Sequence, residues 1–285
     1  MNARLVAPMI LTALAALLAG GPAVASGGEM GTRYVERELV LELDRRCRLF
    51  DASVRASLDV AARQARNAAL REGTPARDLD RAAHDARVRA QSHACQNPET
   101  ALIAGRVEQA FSGWRRMARM SFPGTRQGWS ADRYGLAPER ALFALHQDTR
   151  FNSASARFGQ RAGQVGAHVR FAGRSRPVSA RIVMRDPRIS PQPWLAMASL
   201  SPLPPAAQRR VIWSVGQNPL GVSAQEAAQA QFWAFPATAL DALERLDPRE
   251  GFTLEFVFRD DSVLRFPLEV GDLSAARAFL TLGPY

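Results

Sequence analysis

The chain has 285 residues, 47% of them hydrophobic, which is enough to build one large domain or two small ones around a real core. All 37 basic residues are arginine, against 27 acidic residues, for a net charge of +10. An excess of arginine over lysine follows from GC-rich coding, so arginine identity by itself does not indicate recognition of a partner.

The first 25 residues read as a secretory signal peptide. Arg4 gives a positive start, residues 5–21 run apolar, and Ala23 and Ala25 put small residues where a signal peptidase cuts. The run is shorter than the roughly 20 residues a spanning helix needs, and it contains Pro8. No cysteine sits at the cleavage point to carry a lipid, and no later segment is long and apolar enough to cross a bilayer. The expectation is an exported mature chain, periplasmic or extracellular, with no transmembrane segment.

Residues 33–71 carry a helical stripe in which Leu39, Leu43, Cys47, Phe50, Val54 and Leu58 recur at steps of 4, 4 and 3. That eleven-residue period keeps one face of a nearly straight helix apolar. Gly73, Thr74 and Pro75 then supply a stop, a cap and a first helical position. A second helix follows, with Leu79, Ala83, Ala86, Ala90 and Ala94 on one face, small enough for close approach to the first. In an antiparallel hairpin about the 73–74 turn, Cys47 and Cys95 fall at nearly the same height. An oxidising compartment and the absence of other cysteines make them a structural disulfide. A metal site would need more ligands than the solitary His93 nearby, and no C-x-x-C redox motif is present. A third helix fits residues 98–120, with Leu102, Val107, Phe111 and Trp114 as its large apolar groups.

Residues 121–139, rich in Pro, Gly and aromatics, read as a linker or an ordered connecting loop. The helical domain is therefore placed at 26–120 and a β-rich domain at 140–285. Strand signals occupy residues 140–147, 164–173, 176–186, 209–216 and 229–236, followed by a short helix over 237–246. The clearest unit is a hairpin over 251–272: Phe252, Leu254, Phe256 and Phe258 alternate, residues 259–262 turn, and Val263, Leu264, Phe266 and Leu268 return. A helix capped near Asp272 ends the pattern. The fold class is α+β: a disulfide-stapled helical hairpin or three-helix unit, then an antiparallel sheet with short helices.

Two resemblances attach to these segments. The stretch "CRLFDASVRASLDVAARQARNAAL…ARVRAQSHAC", followed by "FSGWRRMARMSFPGTRQGWSADR", resembles a family of uncharacterised exported bacterial proteins and implies no activity. The stretch from "FWAFPATALDALERL" through "GFTLEFVFRDDSVLRFPLEVGDLSAARAFLTL" is similar to the C-terminal half of the invasion-associated locus B family, which implies an exported, β-rich protein. That family's characteristic cysteines are missing from this segment.

No zinc-protease, nucleophile-elbow or P-loop motif appears, and the glycines of "FGQRAGQVG" lack dinucleotide-loop spacing and read as a flexible turn. His84 and His93 fall on different faces of the second helix, and His146 and His168 near strand ends. Glu38 and Glu42 precede arginines at helical spacing, which reads as a solvated face. No catalytic residue, cofactor or metal is assigned. Charge is the unusual feature: residues 106–186 hold 15 Arg and 5 acids, net +10, while the flanking segments are near neutral. Two clusters are the candidate anion contacts: Arg115, Arg116 and Arg119, and Arg170, Arg174 and Arg176. The partners this chemistry fits are anionic lipid head groups, envelope polysaccharide or an acidic protein. Nucleic acid fits the charge but not the compartment, and no nucleic-acid motif is present. The reading is a cell-envelope protein acting by binding; the alternative is an exported hydrolase whose site is assembled only in three dimensions.

Overall fold

The computed structural model describes residues 28–140, 142–171, 176–195, 203–217 and 231–285. The signal-peptide reading and Arg174 lie outside the described residues.

The N-terminal part is helical: α1 (Glu29–Cys47), α2 (Ala52–Arg71), α3 (Ala76–Ser92) and α4 (Pro98–Phe111). The long first helix of the sequence reading is thus two helices. Arg48 adopts a left-handed φ of 52° and ends α1, and Asp51 restarts the chain as the N-cap of α2, accepting from the Val54 N–H at 2.8 Å. Buried Asp44 holds the corner by accepting from the Phe50 N–H at 2.9 Å and pairing with Arg55. The apolar stripe nevertheless stays inside, because the break returns Phe50, Val54 and Leu58 to the same core.

The two cysteines are bonded, with a Cα–Cα distance of 5.4 Å. They meet by a different route from the long hairpin. α1 runs antiparallel to α2 but parallel to α3: Gly31 lies by Leu79, Glu38 pairs with Arg87, and Arg46 donates to the Ala90 carbonyl. The disulfide therefore joins the C-terminal ends of two parallel helices. Leu79, Ala83, Ala86 and Ala90 form the buried seam, whereas Ala94 lies beyond the end of α3 and is exposed. α4 stops at Phe111 rather than near residue 120; a 3₁₀ turn (Trp114–Arg116) leads into a strand at Arg119.

Among the described residues eleven strands follow: β1 (Arg119–Phe122), β2 (Trp129–Asp132), β3 (Phe143–Phe151), β4 (Ala154–Arg161), β5 (Gln164–Arg170), β6 (Ser179–Arg185), β7 (Arg209–Trp213), β8 (Gly216–Gln217), β9 (Gln231–Phe235), β10 (Gly251–Val257) and β11 (Val263–Glu269). Among the described residues two short helices, α5 (Thr238–Glu244) and α6 (Leu273–Leu280), accompany these strands. A seven-stranded sheet has the order β1-β2-β3-β4-β5-β9-β8 and a four-stranded sheet the order β11-β10-β6-β7, with every pairing antiparallel. The two sheets pack face to face through ring contacts such as Phe158–Phe252 at 5.5 Å and Trp233–Phe256 at 6.2 Å.

The stretch 121–139 supplies the end of β1 and all of β2, and it reaches this core: Phe122 and Trp129 are fully buried. The turn between β1 and β2 is held by Glu269, whose carboxylate accepts from the N–H groups of Thr125, Arg126 and Gln127 at 2.7, 2.9 and 3.3 Å. Side chains of β3 also cover the edge of β11. Gln147 bonds both the N–H and the carbonyl of Glu269, and Thr149 donates to the Pro267 carbonyl. Helix α6 joins the halves, packing Phe279 against Phe122 on one side while Asp272, just before it, pairs with Arg71 of α2 at 2.6 Å.

Candidate functional site: the outer face of the seven-stranded sheet

In a strand, alternate side chains leave by opposite faces. On β2 to β5 the inward set is apolar apart from Gln147 and Thr149, and includes Trp129, Ala131, Leu145, Phe158, Val165 and Ala167. The outward set is polar, and pairing register arranges it in rows. Ser130 stands opposite His146, His146 opposite Gly159, and Gly159 opposite Gly166. In the next row Asp148 faces Arg157, which faces His168. In the third, Arg150 and Arg170 flank Ser155.

Two cavities open on this face. The larger, about 410 Å³, lies over β1–β4 and includes Arg119, Ser130, Asp132, Phe143, His146 and Arg157. The smaller, about 260 Å³, includes Arg150, Ser155, Arg157, His168 and Arg170. Arg157 borders both. Its guanidinium grips Asp148 with two bonds of 2.7 and 2.8 Å. Arg119 holds Asp132 at 2.6 Å, and Asp132 also accepts from the Tyr134 N–H. Arg150 and Arg170 are exposed and make no ion pair among the described residues.

Glycine is required where the rows come closest. A Cβ on Gly159 would lie 1.9 Å from the Leu145 carbonyl oxygen, where β3 bulges between Phe143 and Leu145. A Cβ on Gly166 would lie 2.3 Å from the Phe232 ring. These glycines are sheet positions, and the turn in "FGQRAGQVG" is confined to Ala162 and Gly163, both with positive φ, as a tight hairpin between twisted strands needs.

His146 is the titratable centre of the larger cavity. Burial pushes its pKa below the usual histidine value, and the neighbouring Arg157 and Arg119 act the same way against the pull of Asp148 and Asp132. Its Nε2 lies 3.9 Å from Asp148, and its buried Nδ1 has no hydrogen-bond partner. Burial works against the Asp148 carboxylate, but the hydrogen bond and charge of Arg157 outweigh it and hold Asp148 below the usual aspartate range.

The sequence-derived clusters are divided by the fold. Arg119 and Arg170 lie on this face, in different cavities. Arg115 and Arg116 sit on the exposed 3₁₀ turn, Arg115 being 3.9 Å from Asp51. Arg176 is exposed beyond β5. Other arginines of the basic segment are used by the fold: Arg133 is buried and donates to four backbone carbonyls, and Arg185 is buried against Glu250. His168 is two residues from the end of β5, whereas His146 lies within β3 rather than near a strand end, because β3 continues to Phe151. Arg150, Ser155 and Arg157 were missed with it; residues 146, 148 and 150 alternate as outward strand positions, which was the available signal. Glu38 and Glu42 are not a solvated face: Glu38 pairs across to α3 through Arg87, and Glu42 is buried.

Among the described residues, no group of three or more His, Cys, Asp or Glu is placed to hold a metal ion, and no helix is long and apolar enough to cross a membrane. Fold and site together define a disulfide-linked α+β protein with an arginine-rich, cavity-bearing sheet face. Comparison with family models, curated proteins and solved structures returns no match.

Proposed function

We propose that this is an exported cell-envelope protein that acts by binding an anionic partner, with the outer face of the seven-stranded sheet as its binding surface. The carrying observation is that four arginines of the basic segment, Arg119, Arg150, Arg157 and Arg170, are brought to one sheet face. Asp132 and Asp148 on that face are each already paired with an arginine, so positive charge is in excess there. Export is supported by the apolar N-terminal segment with its cleavage pattern, and by a disulfide suited to an oxidising compartment. That compartment argues against nucleic acid as the partner. Both family resemblances imply export and bring no activity with them.

Attraction of this kind is worth about 1 kcal/mol per basic residue near an anionic surface and is screened by salt. The mature protein should bind immobilised polygalacturonate or polyphosphate at low ionic strength and release it as salt rises. Failure to bind either at low salt would overturn the proposal.

A second reading, a hydrolase, draws on one observation: Ser130 and His146 face each other in the larger cavity, and Asp148 stands next to His146 at the border with the smaller one. Those are nucleophile, base and orienting residue types, but the 3.9 Å His146–Asp148 separation and the unbonded Nδ1 leave the relay unmade. Turnover of activated esters that is lost in both Ser130→Ala and His146→Ala would establish this reading over the first.

A further inference from the structure

Resting on the anion-binding reading above, we propose a specific ligand class for that face: a linear acidic carbohydrate, a chain of hydroxyl-bearing sugar rings with carboxylate groups, laid across β1 to β5. Three features point to it.

The first is length. The two cavities share Arg157 and together run from Arg119 on β1 to Arg170 on β5. Four inter-strand steps of about 4.8 Å make a track of roughly 19 Å. A single head group or a lone oxyanion fills only one part of such a track, whereas an extended oligomer fills all of it.

The second is the mixture of donors and acceptors in the larger cavity. Arg119 and Arg157 donate, Asp132 accepts, and Ser121 and Ser130 do both. Ionised phosphate or sulfate offers acceptors alone and would be repelled by the Asp132 carboxylate. Sugar hydroxyls offer both, so they can donate a hydrogen bond to Asp132 while accepting one from its partner Arg119. Phe143 and the half-exposed Leu142 add an apolar wall for the C–H faces of a ring.

The third is the change of character along the track. In the smaller cavity Asp148 is already gripped by Arg157, while Arg150 and Arg170 stand either side of Ser155 with no ion pair of their own among the described residues. That arrangement suits a carboxylate held by two guanidinium groups and a hydroxyl. A polyhydroxyl subsite adjoining an anion subsite is the pattern an acidic sugar chain requires.

The test is calorimetric titration at low salt with four probes: a short oligogalacturonate, its methyl-esterified form, polyphosphate, and phosphatidylglycerol vesicles. Oligogalacturonate should bind at least about tenfold more tightly, per charge, than polyphosphate or vesicles, and esterification should weaken it about tenfold or more. Arg150→Glu with Arg170→Glu should abolish the distinction between acid and ester. Ser130→Leu, which fills the hydroxyl subsite, should weaken both sugar chains and leave polyphosphate unchanged. Thermal melting of each variant separates these losses from misfolding. If polyphosphate or vesicles bind as tightly as the oligogalacturonate, the carbohydrate assignment is overturned and the anion-binding reading survives. If none of the four binds, both fall.

Discussion

His146 shows how a sheet face sets the state of a single side chain. Burial and two arginines lower its pKa, so folding disfavours the imidazolium. The sign follows from linkage: the depressed value costs nothing above the usual histidine value of 6.5, and stability is lost as pH falls from there toward the folded-state value. Urea unfolding followed between roughly pH 8 and pH 5 should show a decline in the wild type that is shallower in His146→Gln. Parallel curves for the two proteins would mean that other groups dominate the acid limb. None of this was legible in the sequence, where His146 was one of four isolated histidines. Its neighbours Arg157 and Asp132 come from other strands, and cross-strand register is not written in local pattern. Glu250 was hidden in the same way: its carboxylate meets Arg185, 65 residues away in the chain, in a fully buried bidentate pair.

At the level of elements, strong one-sided patterns were legible and short local interruptions were not. The β10–β11 hairpin was read nearly to the residue because Phe252, Leu254, Phe256, Phe266 and Leu268 all face the core. Strand β4 was missed because Arg157, Gly159 and Gln160 dilute its alternation, and its glycine exists to admit the bulge in β3. The break between α1 and α2 was missed because the apolar period runs through it; the signal lay in Asp51 as a cap. The disulfide was legible, although it joins parallel rather than antiparallel helices. It closes a 48-residue separation, worth about 2–4 kcal/mol. The native protein should therefore show no free thiol, and reduction should lower its melting temperature; labelling of both Cys47 and Cys95 without reductant would contradict this. The β1–β2 turn makes a second element-scale prediction. Three backbone N–H groups depend on the Glu269 carboxylate, so the wild type should resist trypsin at Arg126 while Glu269→Ala is cut there first. Equal resistance would mean that Trp129 and Phe122 alone hold the turn.

For the whole molecule, the sequence showed a charge imbalance and the fold turned it into a surface. The +10 segment spans residues 106–186, and β1 to β6 fall within it. Antiparallel pairing of β1 to β5 then aligns its outward arginines, while Arg133, Arg181 and Arg185 are drawn into internal contacts. Which arginines went to which task depended on topology, which is why, of the five sequence candidates among the described residues, Arg119 and Arg170 lie in the cavities and Arg115, Arg116 and Arg176 do not. The most direct test compares two triple charge reversals for polyanion affinity at low salt. One is Arg150→Glu, Arg157→Glu and Arg170→Glu on the sheet face; the other is Arg77→Glu, Arg81→Glu and Arg89→Glu on the exposed side of α3. Both change net charge equally. The sheet-face set should weaken binding at least about tenfold more than the α3 set, because local contacts add to the general field. Equal losses from the two sets would show that net charge alone attracts the ligand, and would contradict a binding site on this face.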